Sequence, residues 1–135
     1  MKSASEIVQQ MYDGDAFSQW LGIKVLEVRP GFAKLEMTVG EEMCNGFGIA
    51  HGGISYSLAD SALAFAANGH GRHALSIETS ISHHKAIQAN TRIFAQAEAI
   101  KEGRSVGVYQ VFISNESAET LASFKGTVLF KDKNW

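Results

Sequence analysis

The sequence has few of the features that mark several large protein classes. It holds one cysteine, Cys44, and one proline among 135 residues. A single cysteine excludes an intramolecular disulfide and any zinc site built from several cysteines, and it fits a reducing compartment. No apolar run reaches the roughly 18 residues of a membrane-spanning helix, and the first residues do not resemble a secretory signal. We therefore expect a cytoplasmic protein with no membrane segment.

A basic surplus is also absent. The chain has 12 Lys+Arg against 14 Asp+Glu, a net charge of -2, and this balance argues against a nucleic-acid partner. Hydrophobic residues are plentiful, at 45% against 19% charged residues, which is enough for a real core and unlike a disordered chain. With about 100–200 residues in a typical domain, we expect residues 1–135 to form a single domain.

The hydrophobic pattern predicts one long helix and about six strands. Residues 5–12 favour a short helix with Ser5 as its N-cap, and Asp15 is placed to cap a second short helix. Residues 54–68 favour a long helix that is apolar on most sides and must therefore be buried. Strands joined by short turns are expected at residues 23–29, 32–39, 75–82, 92–100, 105–114 and 120–130. The combination predicts an α+β hotdog fold, in which a long antiparallel sheet wraps round one central helix.

The only carboxylate of the long helix is the first candidate for chemistry. Gly53, Ser57, Asp60 and Ala64 recur at i, i+4, i+7 and i+11, which places them on one stripe. On an ordinary helix such an aspartate reaches water or pairs with a cation. No Lys or Arg lies three or four residues from Asp60, so burial would raise its pKa and make it a better base.

The residues His51-Gly52-Gly53 precede this helix. Free backbone N–H groups and the helix dipole at such a start suit a negative charge that develops on a carbonyl oxygen, although two glycines alone are also typical of a hinge. Gly52 and Asp60 are eight residues apart, about 12 Å along a helix, so one carbonyl cannot touch both. If both serve one site, they come from different subunits, and we expect a dimer with two interfacial sites.

The segment NGFGIAHGG at residues 45–53, followed by SLAD at residues 57–60, resembles the signature of the PaaI-type hotdog thioesterases. These belong to the 4-hydroxybenzoyl-CoA thioesterase superfamily, and the strand pattern agrees over residues 15–131. The resemblance implies hydrolysis of acyl-CoA thioesters, with an aromatic (phenylacetyl-CoA-like) or medium-chain acyl group. It implies no metal or redox cofactor, since coenzyme A is part of the substrate, and a dimer that pairs into a homotetramer.

The resemblance also implies roles for individual residues. The Gly52 amide would polarise the thioester carbonyl, and Asp60 of the other subunit would act as general base or nucleophile. Asn45 would hold the site or the attacking water, and His51 would shape the loop and contact the thioester region. The resemblance also assigns substrate contacts to Gly53, Ser57, Ser76 and Lys85. Of these, Ser76 would orient the water and Lys85 would contact a CoA phosphate. Ala86 stands where many relatives carry a proline.

Two alternatives remain open at this point. A hotdog hydratase or dehydratase also uses a histidine and a carboxylate, but hydratases usually place the Asp before the His, whereas His51 here precedes Asp60. A non-catalytic acyl-CoA-binding hotdog protein would lack the helix carboxylate. We expect the acyl pocket at the dimer interface, near Phe17, Tyr56 and Leu58. The four histidines outside the signature, which we expect to be solvated or packing residues, are His70, His73, His83 and His84.

Overall fold

The computed structural model describes residues 1–135 and contains three α-helices and six strands. In chain order the elements are α1 (Ala4–Asp13), α2 (Ala16–Trp20), β1 (Lys24–Arg29), β2 (Phe32–Thr38), a 3₁₀ turn (Glu41–Met43), α3 (Gly52–Asn68), β3 (Arg72–His83), β4 (Arg92–Glu102), β5 (Val106–Ser114) and β6 (Thr120–Asn134). None of the helices has both the length and the apolar character that a bilayer crossing requires.

The two N-terminal helices begin at residues whose side chains cap them. The N-cap of α1 is Ser3, so the predicted cap at Ser5 is wrong. Ser3 accepts from the Glu6 amide at 3.2 Å, and the Glu6 carboxylate accepts from the Ser3 amide, also at 3.2 Å. This reciprocal pair of hydrogen bonds satisfies two backbone N–H groups that have no partner within the helix. Ser5 could not form such a pair, because no carboxylate lies three residues after it. Asp15 caps α2 as predicted.

All six strands form one antiparallel sheet, in the order β1-β2-β4-β5-β6-β3. The predicted hairpin of the first two strands is confirmed, with Gly31 at φ 78° in its turn. Because β1 and β3 are the two edge strands, one edge of each is unpaired within the chain. The exposed fractions of Leu75 and Ile77 on β3 are 60% and 58%.

Helix α3 lies in the concave face of this sheet, which confirms the hotdog fold. Its Leu58 and Leu63 are almost completely buried, and each such side chain contributes roughly 1.5–3 kcal/mol through loss of water contact. The approach to β6 is so close that a Cβ on Gly126 would lie 2.5 Å from Leu63 Cδ2. The stripe of α3 that carries Ser57, Asp60 and Ala64 is covered only in part.

Candidate active site

The first turn of α3 leaves one backbone amide available. His51 is the N-cap, and its Nδ1 accepts a hydrogen bond from the Gly53 amide at 2.9 Å. The Ile54 amide donates to the His51 carbonyl, also at 2.9 Å. The Gly52 amide donates no hydrogen bond within the chain. This N–H therefore stands at the positive end of the helix dipole, where an anionic oxygen is favoured.

Asn45 organises the loop that leads into this helix. Its Oδ1 accepts from the Phe47 amide at 2.9 Å, its carbonyl accepts from the Gly48 amide at 3.0 Å, and its own amide donates to the Ile49 carbonyl at 2.8 Å. An antiparallel bridge joins Cys44 to Ala50. Across this antiparallel bridge Asn45 lies opposite Ile49, towards the tip of the loop, whereas His51 lies opposite Met43, to whose carbonyl its amide donates at 2.9 Å. The Asn45 Nδ2 donates no hydrogen bond within the chain and is free to hold a ligand.

Asp60 lies two turns further along α3 and is half-buried. Its carboxylate accepts no hydrogen bond, and the five ion pairs of the chain do not include it. Burial raises the pKa of this carboxyl above its ordinary value of 3.8, and the negative charge of Asp15 raises it further. Both effects make Asp60 hold a proton more readily, as a general base requires.

Asp60 lines a cleft of about 460 Å³ between α3, the edge strand β3 and the end of β6. Most of the lining is apolar and includes Leu63, Ala64 and Val128. Ser76 lines the same cleft as Asp60. The cleft has the size and the mainly apolar lining that small-molecule sites commonly have.

The three residues expected around the acyl pocket do not line this cleft. Leu58 is fully buried in the core, and Tyr56 bonds to Thr79 on β3. Phe17 stacks on Trp20 at the surface, with 6.0 Å between ring centroids, and its exposed fraction is 52%. Helical position explains Leu58, which lies two residues before Asp60 and points to the opposite side of α3. Tyr56 lies one turn before Asp60, and its hydroxyl is held by Thr79.

The remaining predicted substrate contacts are occupied within the chain. Ser57 Oγ donates to the Gly53 carbonyl at 2.7 Å. Lys85 Nζ pairs with the Glu119 carboxylate at 2.8 and 3.0 Å, away from the cleft. This ion pair is largely exposed, and such pairs are worth about 0–1 kcal/mol, so an incoming phosphate would exchange for Glu119 at little cost.

Sequence reasoning missed His83 as a neighbour of the helix start. Its Nε2 lies 3.2 Å from the position that a Cβ on Gly52 would take, and its Nδ1 is 3.4 Å from Ser55 Oγ. His84 instead contacts Ser123 at 2.8 Å, so the two histidines do point to opposite faces of the sheet. The alternation along β3 could have marked His83, because it shares the concave face with Thr79 and Ile81, whose partners on β6 are core positions.

The cleft also reaches the C-terminal part of α3, where sequence analysis named only His73, as a solvated or packing residue. Trp135 Nε1 donates to Asn68 Oδ1 at 2.9 Å, and its indole stacks on His73 with 4.0 Å between centroids. Asn68 is buried and also accepts from the Ala74 amide. The indole, the imidazole and Asn68 all line the cleft, and Asn68 lies eight residues beyond Asp60 along α3.

The chain matches known proteins in its family, its sequence and its fold. The model of the thioesterase superfamily matches residues 47–122. The acyl-coenzyme A thioesterase PaaI of Escherichia coli is 37% identical over 116 residues, which are 86% of this chain and 83% of that protein. The human acyl-coenzyme A thioesterase 13 is 27% identical over 123 residues, 89% of this chain and 88% of the relative.

The solved structures agree with these matches. The structure of the Escherichia coli PaaI protein from the phenylacetic acid degradation operon has a TM-score of 0.95 and 34% identity, and the alignment covers 97% of this chain and 95% of that one. A mutant of the phenylacetic acid degradation protein PaaI from Thermus thermophilus has a TM-score of 0.82 and 35% identity, with 85% and 98% covered. The chain therefore belongs to the thioesterase superfamily, among the PaaI-type hotdog acyl-CoA thioesterases.

Proposed function

We propose that the protein hydrolyses acyl-CoA thioesters to the free acid and CoA, with Asp60 and the Gly52 amide at the reaction centre. The observation that carries the proposal is the position of Asp60, an unpaired, half-buried carboxylate with a raised pKa that lines an apolar cleft. A buried charge without a partner is unfavourable, so its presence points to a chemical role. The unbonded amide of Gly52 supplies the matching group for an oxyanion.

The reaction in its general-base form needs only these groups and water. Asp60 takes a proton from a water molecule as the water oxygen attacks the thioester carbonyl. The carbonyl oxygen becomes an oxyanion, which accepts a hydrogen bond from the Gly52 amide. The C–S bond then breaks, and the thiolate of CoA leaves and recovers a proton from the Asp60 carboxyl. In the nucleophilic form, an Asp60 oxygen attacks the carbonyl, and the C–S bond breaks with loss of the CoA thiolate to give a mixed anhydride. Water then hydrolyses the anhydride to the free acid and the regenerated Asp60 carboxylate, and a proton released in that step is taken up by the CoA thiolate. Neither form requires a metal or redox cofactor.

The site is shared between two subunits in this proposal. Gly52 and Asp60 of one chain lie about 12 Å apart along α3, too far for one carbonyl to contact both. Two antiparallel copies of α3 would place Gly52 of the partner subunit opposite Asp60. The partly exposed, small-residue stripe of α3 and the unpaired, apolar edge of β3 support this association. Pairing of dimers into a homotetramer follows only from the family resemblance.

The other signature residues support the same centre. Asn45 would orient the attacking water or the substrate with its free Nδ2, and His51, which caps α3, would fix the angle of the Gly52 amide. Ser76 would hold the water from the opposite wall of the cleft. Gly53 and Ser57 would form the small wall against which the thioester rests. Lys85 would bind a CoA phosphate after release from Glu119.

The acyl group is proposed to occupy the cleft between Asp60 and Trp135. Asp60 and Asn68 are eight residues apart on α3, so the cleft extends about 12 Å from the carboxylate to the indole. An extended chain of roughly eight to ten carbons, with bonds of about 1.5 Å in a zigzag, spans that distance. The size favours medium-chain or aromatic acyl groups. The free thiol of Cys44 is compatible with a reducing, cytoplasmic setting.

The test replaces Asp60 by Asn, which keeps the shape of the side chain and removes the base. Release of free CoA thiol from a panel of aromatic and medium-chain acyl-CoAs should fall by at least 100-fold, the lower range for loss of a general base. Asp132→Asn, an exposed carboxylate on β6, is the matched control and should keep wild-type turnover. Full hydrolysis by Asp60→Asn contradicts the assignment. So does an active species that light scattering shows to be strictly monomeric.

The same panel separates the alternative functions. Tight binding of acyl-CoA without thiol release by the wild-type protein would favour a non-catalytic binding protein. Hydration of crotonyl-CoA would favour a hydratase. A single turnover in ¹⁸O-labelled water, with enzyme in excess, tests for the nucleophilic form of the reaction. Label in the Asp60 carboxylate supports that form, because water then opens the mixed anhydride at the Asp60 carbonyl. Label only in the product acid is the result expected for the base and also for an anhydride opened at the acyl carbon.

A further inference from the structure

Helix α2 is short, and its start is tied to a single residue. Asp15, the N-cap, accepts from the Ser18 amide through Oδ1 at 2.9 Å and from Ser18 Oγ through Oδ2 at 2.6 Å. Both oxygens of the carboxylate are therefore held by one neighbour. Ser18 is 1% exposed, one of only three buried polar side chains in the protein. A serine buried to this degree is tolerated because its hydroxyl is fully hydrogen-bonded.

The same hydroxyl connects α2 to the central helix. Ser18 Oγ lies 2.8 Å from Ser61 Oγ, and Ser61 directly follows Asp60. A hydroxyl has one hydrogen, and Ser18 gives its hydrogen to the carboxylate of Asp15, which can only accept. Ser61 must therefore donate to Ser18. The order Ser61 to Ser18 to Asp15 gives a directed chain of hydrogen bonds that ends on a negative charge beside the proposed base.

We propose that Asp15 and Ser18 form a positioning unit for Asp60, in which α2 holds a second carboxylate at a fixed place beside the proposed base. This inference rests on the proposed function, because it takes Asp60 as the reacting group. Neither residue touches the substrate in this proposal. Their part is to keep the charge of Asp15 near Asp60 and to fix the turn of α3 that carries Asp60.

Both negatively charged and basic side chains lie around Asp60 within the chain. Asp15 approaches from α2, while His73 of β3 and Lys131 and Lys133 of β6 line the same cleft. In the proposed dimer His51 of the partner subunit also faces this region. The pKa of Asp60 is nevertheless raised, by burial first and by Asp15 second. A nearby like charge disfavours ionisation, so Asp15 makes Asp60 a stronger base near neutral pH.

The test is Asp15→Asn, which removes the charge and keeps the cap, because Asn caps helices about as well as Asp. The acid limb of kcat/KM against pH should move to lower pH, and the plateau rate should fall as Asp60 becomes a weaker base. Asp13→Asn is the matched control. It makes the same change of net charge two residues earlier, at an exposed position, and should leave the limb in place.

A second variant, Ser18→Ala, keeps the charge of Asp15 and removes both hydroxyl contacts. It should lower kcat and move the acid limb in the same direction as Asp15→Asn, with thermal unfolding monitored to confirm a folded protein. A profile for Asp15→Asn that superimposes on wild type, or a shift equal to that of Asp13→Asn, overturns the proposal. The proposed function is tested separately by loss of thiol release in Asp60→Asn. Full activity of that variant would overturn both.

Discussion

Removal of the indole at the end of the cleft should change which acyl chains the protein prefers. In Trp135→Ala, the stack on His73 and the hydrogen bond to Asn68 are lost, and the cleft opens beyond its present end, about 12 Å from Asp60. The indole is larger than two methylene groups. Two further buried methylenes contribute about 1.6 kcal/mol, or roughly 15-fold in kcat/KM, at about 0.8 kcal/mol for each.

The assay is thiol release over a series of straight-chain acyl-CoAs from four to sixteen carbons. In wild type, kcat/KM should rise with chain length to a maximum near eight to ten carbons and then fall. In Trp135→Ala the maximum should move to longer chains by at least two carbons. Trp20→Ala is the matched control, because this tryptophan lies at the surface with an exposed fraction of 59%, outside the cleft. An unchanged optimum in Trp135→Ala, with a folded protein, refutes the placement of the acyl group.

Two further predictions concern stability. Gly126→Ala should destabilise the fold by about 1–3 kcal/mol in urea unfolding, because its Cβ would lie 2.5 Å from Leu63 Cδ2. Gly46→Ala is the control and should change the stability little, because the space around Gly46 is open. Equal effects of the two substitutions would contradict this packing. Asp60→Asn should stabilise the protein at pH 7, since the raised pKa means that folding disfavours the ionised carboxylate. That gain should vanish as the pH falls below 3.8, where Asp60 is protonated in both states, and a gain that persists there in thermal unfolding would contradict the cause.

The strands were predictable because each has one buried face, and burial of alternate side chains leaves a period of two in the sequence. The ends of the strands were less predictable. The last strand was expected to end at residue 130 and continues to Asn134, and β3 begins at Arg72 rather than at residue 75. Residues 131–134 are polar and carry no alternation. They are extended because Asn134 pairs with Arg72, a contact between residues far apart in the chain.

The residues of the candidate site also differ in how far the sequence could predict them. Asn45, Gly52 and Asp60 could be proposed from the sequence because they belong to one short segment with fixed spacing. Ser18 is 43 residues from Ser61, and Trp135 is 67 residues from Asn68, so only the folded chain brings these pairs together. No spacing in the sequence marks either contact. A buried serine and a terminal aromatic residue also have ordinary structural explanations, which is why neither stood out.

The features that look unfavourable in one chain have a common explanation in the proposed dimer. A single chain leaves Leu75 and Ile77 exposed on an unpaired strand edge and leaves the stripe around Asp60 partly in water. Association through these surfaces would remove apolar area from water, which favours the dimer. The same step would desolvate Asp60 further and strengthen its interaction with any dipole nearby, including the Gly52 amide of the partner subunit. The burial that drives association is therefore also what would make the carboxylate and the amide effective, so stability of the dimer and catalytic competence have one physical origin.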